Sequence, residues 1–119
     1  MKRHKILVVD DEEGMRYLCK RALERAGYRV DVSQNAQEAL ELLGNDEDYE
    51  LVLTDLNLVG LNGLELIRKI KKKHPHCKTL LMTGKLPRSN TTIEINDYLL
   101  KPFGFIELVL KVNEFLSSP

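Results

Sequence analysis

Two hydrophobic periodicities alternate along this chain, and together they leave few folds open. Ile6-Leu7-Val8-Val9 is a continuous apolar run. Residues 12–26 then place Met15, Leu18, Cys19, Ala22, Leu23 and Ala26 on one face of a helix, with Gly27 just past its end as a C-cap. The run YRVDV (28–32) alternates strictly. Residues 35–44 put Ala36, Ala39, Leu40 and Leu43 on one helical face, again closed by a glycine, Gly44. Residues 50–55, ELVLTD, carry a continuous apolar run that stops at Asp55, 63–73 read as a helix with a basic tail, and 79–84, TLLMTG, are continuous again. Residues 97–101 are short and apolar, and 105–116 bring Phe105, Val109, Val112 and Leu116 together.

Strand–helix alternation at this spacing implies βαβ units, hence a parallel sheet with helices on both faces. Continuous apolar strands are buried on both sides and belong inside the sheet, whereas an alternating strand suits an edge. The runs at 6–9, 51–54 and 79–82 are therefore interior and 28–32 is an edge. This predicts a flavodoxin-like doubly wound α/β fold, a five-stranded parallel sheet of order 2-1-3-4-5. The weak link is 85–96, KLPRSNTTIEIN, where the fourth helix should lie. Pro87, two adjacent threonines and the absence of a 3.6-residue period predict a short or irregular segment there.

The chain has 119 residues, enough for one sizeable core and too few for two, so residues 1–119 are expected to form one domain. Eighteen basic and eighteen acidic side chains cancel, which gives no global pull toward nucleic acid or an anionic membrane. Cys19 and Cys77 read as reduced, buried thiols rather than a disulfide framework. The apolar run near the N-terminus is four residues long, too short for a signal peptide or a membrane span. A cytoplasmic location is expected.

In an open parallel sheet, ligands bind beyond the carboxyl ends of the strands. Here those ends carry Asp10 and Asp11, then Asp55, Thr83 and Lys101. Three carboxylates so close repel one another unless a cation intervenes, and Mg²⁺ suits a few carboxylate and carbonyl oxygens completed by water. Lys101 would be the further cation, placed for an incoming anion. A carboxylate nucleophile, a metal and a lysine form a minimal site for phosphoryl transfer.

The stretches ILVVDDEEGMR, LVLTDLNLVGLNGLELI, LLMTG and DYLLKPF resemble the motifs of bacterial two-component response-regulator receiver domains, in the family's order, from residue 5 to about 116. The resemblance implies a chemotaxis-receiver-like phosphoacceptor, a signalling switch rather than an enzyme, taking a phosphoryl group from a sensor histidine kinase or phosphotransfer protein onto Asp55. It implies Mg²⁺ held by Asp11, Asp55 and the Asn57 backbone carbonyl, with Asp10 helping through water. Lys101 would bind a phosphoryl oxygen, with a cis peptide to Pro102. Thr83 would swing its hydroxyl onto the phosphoryl group, Gly84 would keep the site open, and Tyr98 would be the aromatic switch that follows. The implied partners also include an output domain or protein, and a homodimer is admitted. Three features depart from the family: Val59 stands where proline is usual, Gly84 where alanine is usual, and 18 positions separate Thr83 from Lys101, about one helical turn fewer than the norm.

Two other functions fit parts of the pattern. Asp55-Leu56-Asn57-Leu58-Val59 resembles the nucleophile motif of haloacid-dehalogenase-type phosphatases, but Asn57 replaces the general-acid aspartate and the motif lies on the third strand. A receiver-like binding module that does not take phosphate would need a lost rim residue, and none is lost. Asp10 and Asp11 would equally favour the dipole of the first helix. His74, His76 and Cys77 fit no standard zinc spacing, and the basic run 68–73 reads as a solvated helix end. The stretch TGK (83–85) lacks the P-loop glycine, and NDEDYE (45–50) lacks the calcium-loop spacing.

Overall fold

The computed structural model describes residues 4–46, 48–85 and 98–117. Five parallel strands, β1 (Lys5–Val9), β2 (Arg29–Ser33), β3 (Tyr49–Asp55), β4 (Lys78–Thr83) and β5 (Tyr98–Leu100), form one sheet of order β2-β1-β3-β4-β5. The helices among the described residues are α1 (Glu13–Arg25), α2 (Ala36–Asn45), α3 (Gly63–Lys73) and α4 (Phe105–Ser117). The expected sheet order and the doubly wound fold are what forms. The segment expected to be an irregular fourth helix falls almost wholly outside the described residues.

The interior strands show why their sequences are continuously apolar. Along β1, Ile6 and Val8 enter one core with Leu23 of α1 and Leu108 and Val112 of α4, while Leu7 and Val9 enter the other with Ala39 of α2 and Leu66 and Ile70 of α3. A strand covered on both faces has no side left for polar residues. All four of these β1 side chains are fully buried. At roughly 1.5–3 kcal/mol for each large aliphatic side chain, this two-sided burial is the main source of stability.

Local signals set the helix ends. Gly27 adopts φ 101° past α1, so that Tyr28 N–H reaches Leu23 O at 3.1 Å and Gly27 N–H reaches Glu24 O at 3.0 Å, a Schellman closure. Asn35 and Asn62 cap α2 and α3, each side chain accepting the backbone N–H three residues on, Glu38 at 2.8 Å and Glu65 at 3.0 Å.

Three expectations are corrected. Gly44 does not close α2; the helix continues to Asn45 and ends on Asp46, whose backbone is extended and whose carboxylate is ion-paired with Lys5. That anchor outweighs the glycine signal. Phe105 does not join the buried face of α4, being 51% exposed; Leu108 and Val112 are the buried pair, and Phe103, just ahead of the helix, fills the core instead. Ala26, counted on the apolar face of α1, is exposed because the chain has already begun to turn there.

Candidate functional site

Strand register brings the acidic residues together. Val9 pairs with Thr54 across β1 and β3, so Asp10 and Asp55 leave the sheet side by side. Asp55 in turn pairs with Met82, and Thr83 with Leu100, which puts Lys101 next along the same rim. Backbone bonds fix each exit: Asp10 N–H to Ser33 O at 3.1 Å, Leu56 N–H to Met82 O at 3.1 Å and Lys101 N–H to Thr83 O at 2.7 Å.

The Lys101 ammonium donates to Asp55 Oδ1 at 3.0 Å and to Asp10 Oδ2 at 3.2 Å. Asp11, which is exposed, completes a group in which one carboxylate oxygen from each of Asp10, Asp11 and Asp55 lies within 4.8 Å of the others. Asp10 is fully buried and Asp55 nearly so. Burial raises the Asp55 pKa above the ordinary carboxylate range; the Lys101 hydrogen bond and charge oppose this, while Asp10 and Asp11 add to it. Lys101 is raised despite its burial, through its hydrogen bond to Asp55 and the charges of Asp10 and Asp55. Three carboxylates thus face one ammonium, an incomplete neutralisation. A donor set made only of hard oxygens, with one carboxylate open to solvent, fits Mg²⁺ better than a thiophilic metal.

Other expected residues lie on the same rim with different engagements. Thr83 is buried, and its hydroxyl donates to Lys85 O at 2.9 Å and accepts from Lys85 N–H at 3.3 Å, so it is turned along its own loop. Gly84 and Asn57 are exposed, and a Cβ on Gly84 would meet nothing within 4 Å. Tyr98 is half-buried at the start of β5, and the Lys101–Pro102 peptide is cis. Asp10 Oδ1 also accepts Glu12 N–H at 2.9 Å, so this aspartate does serve the entry to α1. His74, His76 and Cys77 form no metal-type cluster among the described residues.

Two residues inside the stretches ILVVDDEEGMR and LVLTDLNLVGLNGLELI, given no role above, also support the site. Arg16, half-buried on α1, donates from Nη1 to Asp10 O at 2.8 Å. Thr54, fully buried, donates its hydroxyl to Asp55 O at 3.0 Å. A hydroxyl inside an otherwise apolar strand, one residue before the carboxylate, was the available signal. Gly60 takes φ 90° in the loop between β3 and α3, whereas Gly63 does not adopt a positive φ. Gly60 and Gly63, which share this loop, therefore have different reasons to be glycine. A cleft of about 810 Å³ opens beside Asp11, between the first turns of α2 and the loop at Val59–Leu61.

The family model for the response regulator receiver domain matches residues 6–113, and the chain belongs to that family. The transcriptional regulatory protein ResD of Bacillus subtilis is 37% identical over 116 residues, covering 94% of this chain and 48% of that protein. The response regulator TrrA of Thermotoga maritima, solved in complex with Mg²⁺-BeF, is 35% identical with a TM-score of 0.85, covering 94% of this chain and 98% of that one. The chemotaxis response regulator CheY4 of Vibrio cholerae superposes with a TM-score of 0.89 over 96% of this chain and 99% of that one; at 21% identity this is a likeness of fold. The chain spans about half the length of the curated relatives it matches. It is thus a receiver domain of two-component signalling, a family that works with sensor kinases and output domains. Among the described residues no helix is long and apolar enough to cross a membrane.

Proposed function

We propose that this chain is a phosphorylation-driven switch whose phosphoacceptor is Asp55, and that residues 1–119 act as one receiver unit in the cytoplasm. The observation that carries this reading is the convergence of Asp10, Asp11, Asp55 and Lys101 from separate strand ends, with Lys101 3.0 Å from Asp55. A carboxylate oxygen of Asp55 attacks phosphorus in a phosphohistidine of a sensor kinase or phosphotransfer protein. The P–N bond breaks, its electron pair stays with the leaving imidazole, and a proton completes that ring. Bound Mg²⁺ supplies neutralisation of the carboxylate and phosphoryl oxygens; Asp11, Asp55 and the Asn57 carbonyl would hold it, with Asp10 acting through water.

Lys101 has the central part among this chain's own groups. It leaves its bridge between Asp10 and Asp55 and donates to a phosphoryl oxygen, since the acceptor carboxylate surrenders its charge to the new ester-like bond. Thr83 exchanges its bond with Lys85 O for a second phosphoryl oxygen, and Tyr98 follows inward. Leu100, Phe105, Ile106 and Leu110 are exposed on β5 and α4, and that surface is where an output domain or partner, or a second copy, would sense the change. The bound species in the Thermotoga relative supports the metal assignment. Turnover is confined to self-phosphorylation by small phosphodonors and self-dephosphorylation.

Intact mass after incubation with acetyl phosphate, with and without Mg²⁺, tests the reading. It predicts a Mg²⁺-dependent gain of one phosphoryl group in the wild type and none in Asp55→Asn. No gain in any condition would instead favour a binding module that is not regulated by phosphate.

A further inference from the structure

The first residue of α3 touches the backbone of the residue proposed above as phosphoacceptor. A Cβ on Gly63 would stand 2.3 Å from the Asp55 carbonyl oxygen, 2.9 Å from Leu56 Cα and 3.1 Å from the Asp55 carbonyl carbon. All three are main-chain atoms at the end of β3, with no flexible side-chain tip to step aside. Gly63 lacks a positive φ, so the need for glycine here is steric rather than conformational. Elsewhere the helical glycines are unconstrained: a Cβ on Gly14 or Gly44 meets nothing within 4 Å.

The same two peptide units are held from three directions. Thr54 Oγ1 donates to Asp55 O at 3.0 Å, Leu56 N–H to Met82 O at 3.1 Å, and Gly63 N–H to Leu56 O at 2.8 Å. The Asp55 carbonyl is therefore caught between the Thr54 hydroxyl and the bare Cα of Gly63. Since the carboxylate hangs from that backbone, its approach to Lys101 and to Asp10 depends on how closely α3 can seat.

We propose that Gly63, with Thr54 as its counterpart, is a positioning residue for Asp55, setting the carboxylate against Lys101 and the Mg²⁺ ligands. This rests on the phosphoacceptor reading. A methyl group at 63 must open the contact from 2.3 to at least 3.0 Å, a movement of 0.7 Å. Misplacement of reacting groups by about 1 Å costs on the order of 10²-fold in rate. Gly63→Ala should therefore slow labelling by acetyl phosphate about 10- to 100-fold and raise the Mg²⁺ concentration for half-saturation. A purely structural role would lower Tm and leave both unchanged.

The test uses the full chain as Gly63→Ala, Thr54→Val, the double variant and Gly44→Ala as control. Mg²⁺ half-saturation is read by amide chemical shifts, labelling rate by intact mass at saturating Mg²⁺, and folding by circular dichroism. Both readouts should worsen in Gly63→Ala and, to a smaller extent, in Thr54→Val. The double variant should lose less than the product of the two single effects, because both act on one carbonyl. Gly44→Ala should match the wild type in labelling rate and Mg²⁺ half-saturation. Should Gly63→Ala not fold, Thr54→Val, which keeps the side-chain shape, decides alone. A folded Gly63→Ala with wild-type labelling and Mg²⁺ binding would overturn the proposal, as would an unfolded one beside an unaffected Thr54→Val. If the wild type takes no label, the phosphoacceptor reading fails, while the Mg²⁺ titration still judges Gly63.

Discussion

Asp55 carries opposed demands: it is nearly buried, beside two other carboxylates, and compensated by a lysine shared with Asp10. Its charged form is disfavoured chiefly by burial, with Asp10 and Asp11 adding to the effect. Asp55→Asn keeps the shape and removes the charge, so Tm without Mg²⁺ should rise, and the stabilisation that Mg²⁺ gives the wild type by mass action should shrink. Thermal melts of both proteins with and without Mg²⁺ check this. Lys101→Ala should split two properties that Asp55→Asn loses together. Removing an ammonium 3.0 and 3.2 Å from two carboxylates should tighten Mg²⁺ binding. Phosphorylation should nonetheless slow on the order of 10²-fold, the usual loss when one donor to a developing anion is removed. Titration and labelling of the one variant measure both. The charged residues were legible in the sequence because a carboxylate or lysine ending an apolar strand is costly unless it is used. The parts played by Arg16, Thr54 and Gly63 were not, since each acts on a main-chain carbonyl, and even the hydroxyl of Thr54 in an apolar strand does not name its partner.

Elements were legible wherever burial imposes a period. The α3 range of 63–73 was legible from its pattern, and in the structure the Asn62 side chain caps its start. Ends decided by a tertiary contact were not. Gly44 looks like a stop signal, but Asp46 anchored on Lys5 carries α2 past it. Gly44 is therefore a helical glycine in the last turn of α2 with free space around it, and Gly44→Ala should stabilise the protein by up to about 0.5–1 kcal/mol. By contrast, Asn62→Ala should cost about 1 kcal/mol by freeing the Glu65 N–H. Urea unfolding of the two variants should show midpoints displaced in opposite directions.

At the scale of the molecule, strand order followed from which strands are continuously apolar, because only strands covered on both faces can be so. The two cores that cover them also enclose the thiols. Cys19 lies in the α1–α4 core and Cys77 in the α2–α3 core, and burial pushes each thiol up to about 12. Neither should react with iodoacetamide at pH 8 while the protein is folded, and both should react in denaturant, as counted by mass; labelling of one alone would mean that its core opens separately. The sheet gathers its charged strand ends on one rim, and the proposed switch depends on one carboxylate there, Asp55, becoming phosphorylated. The most direct measurement is to reduce the acetyl-phosphate-treated protein with borohydride, which converts an aspartyl phosphate to homoserine, and to locate that residue by peptide mass spectrometry. Homoserine is expected at position 55, dependent on Mg²⁺; homoserine at position 10 or 11, or at no position, would overturn Asp55 as the phosphoacceptor.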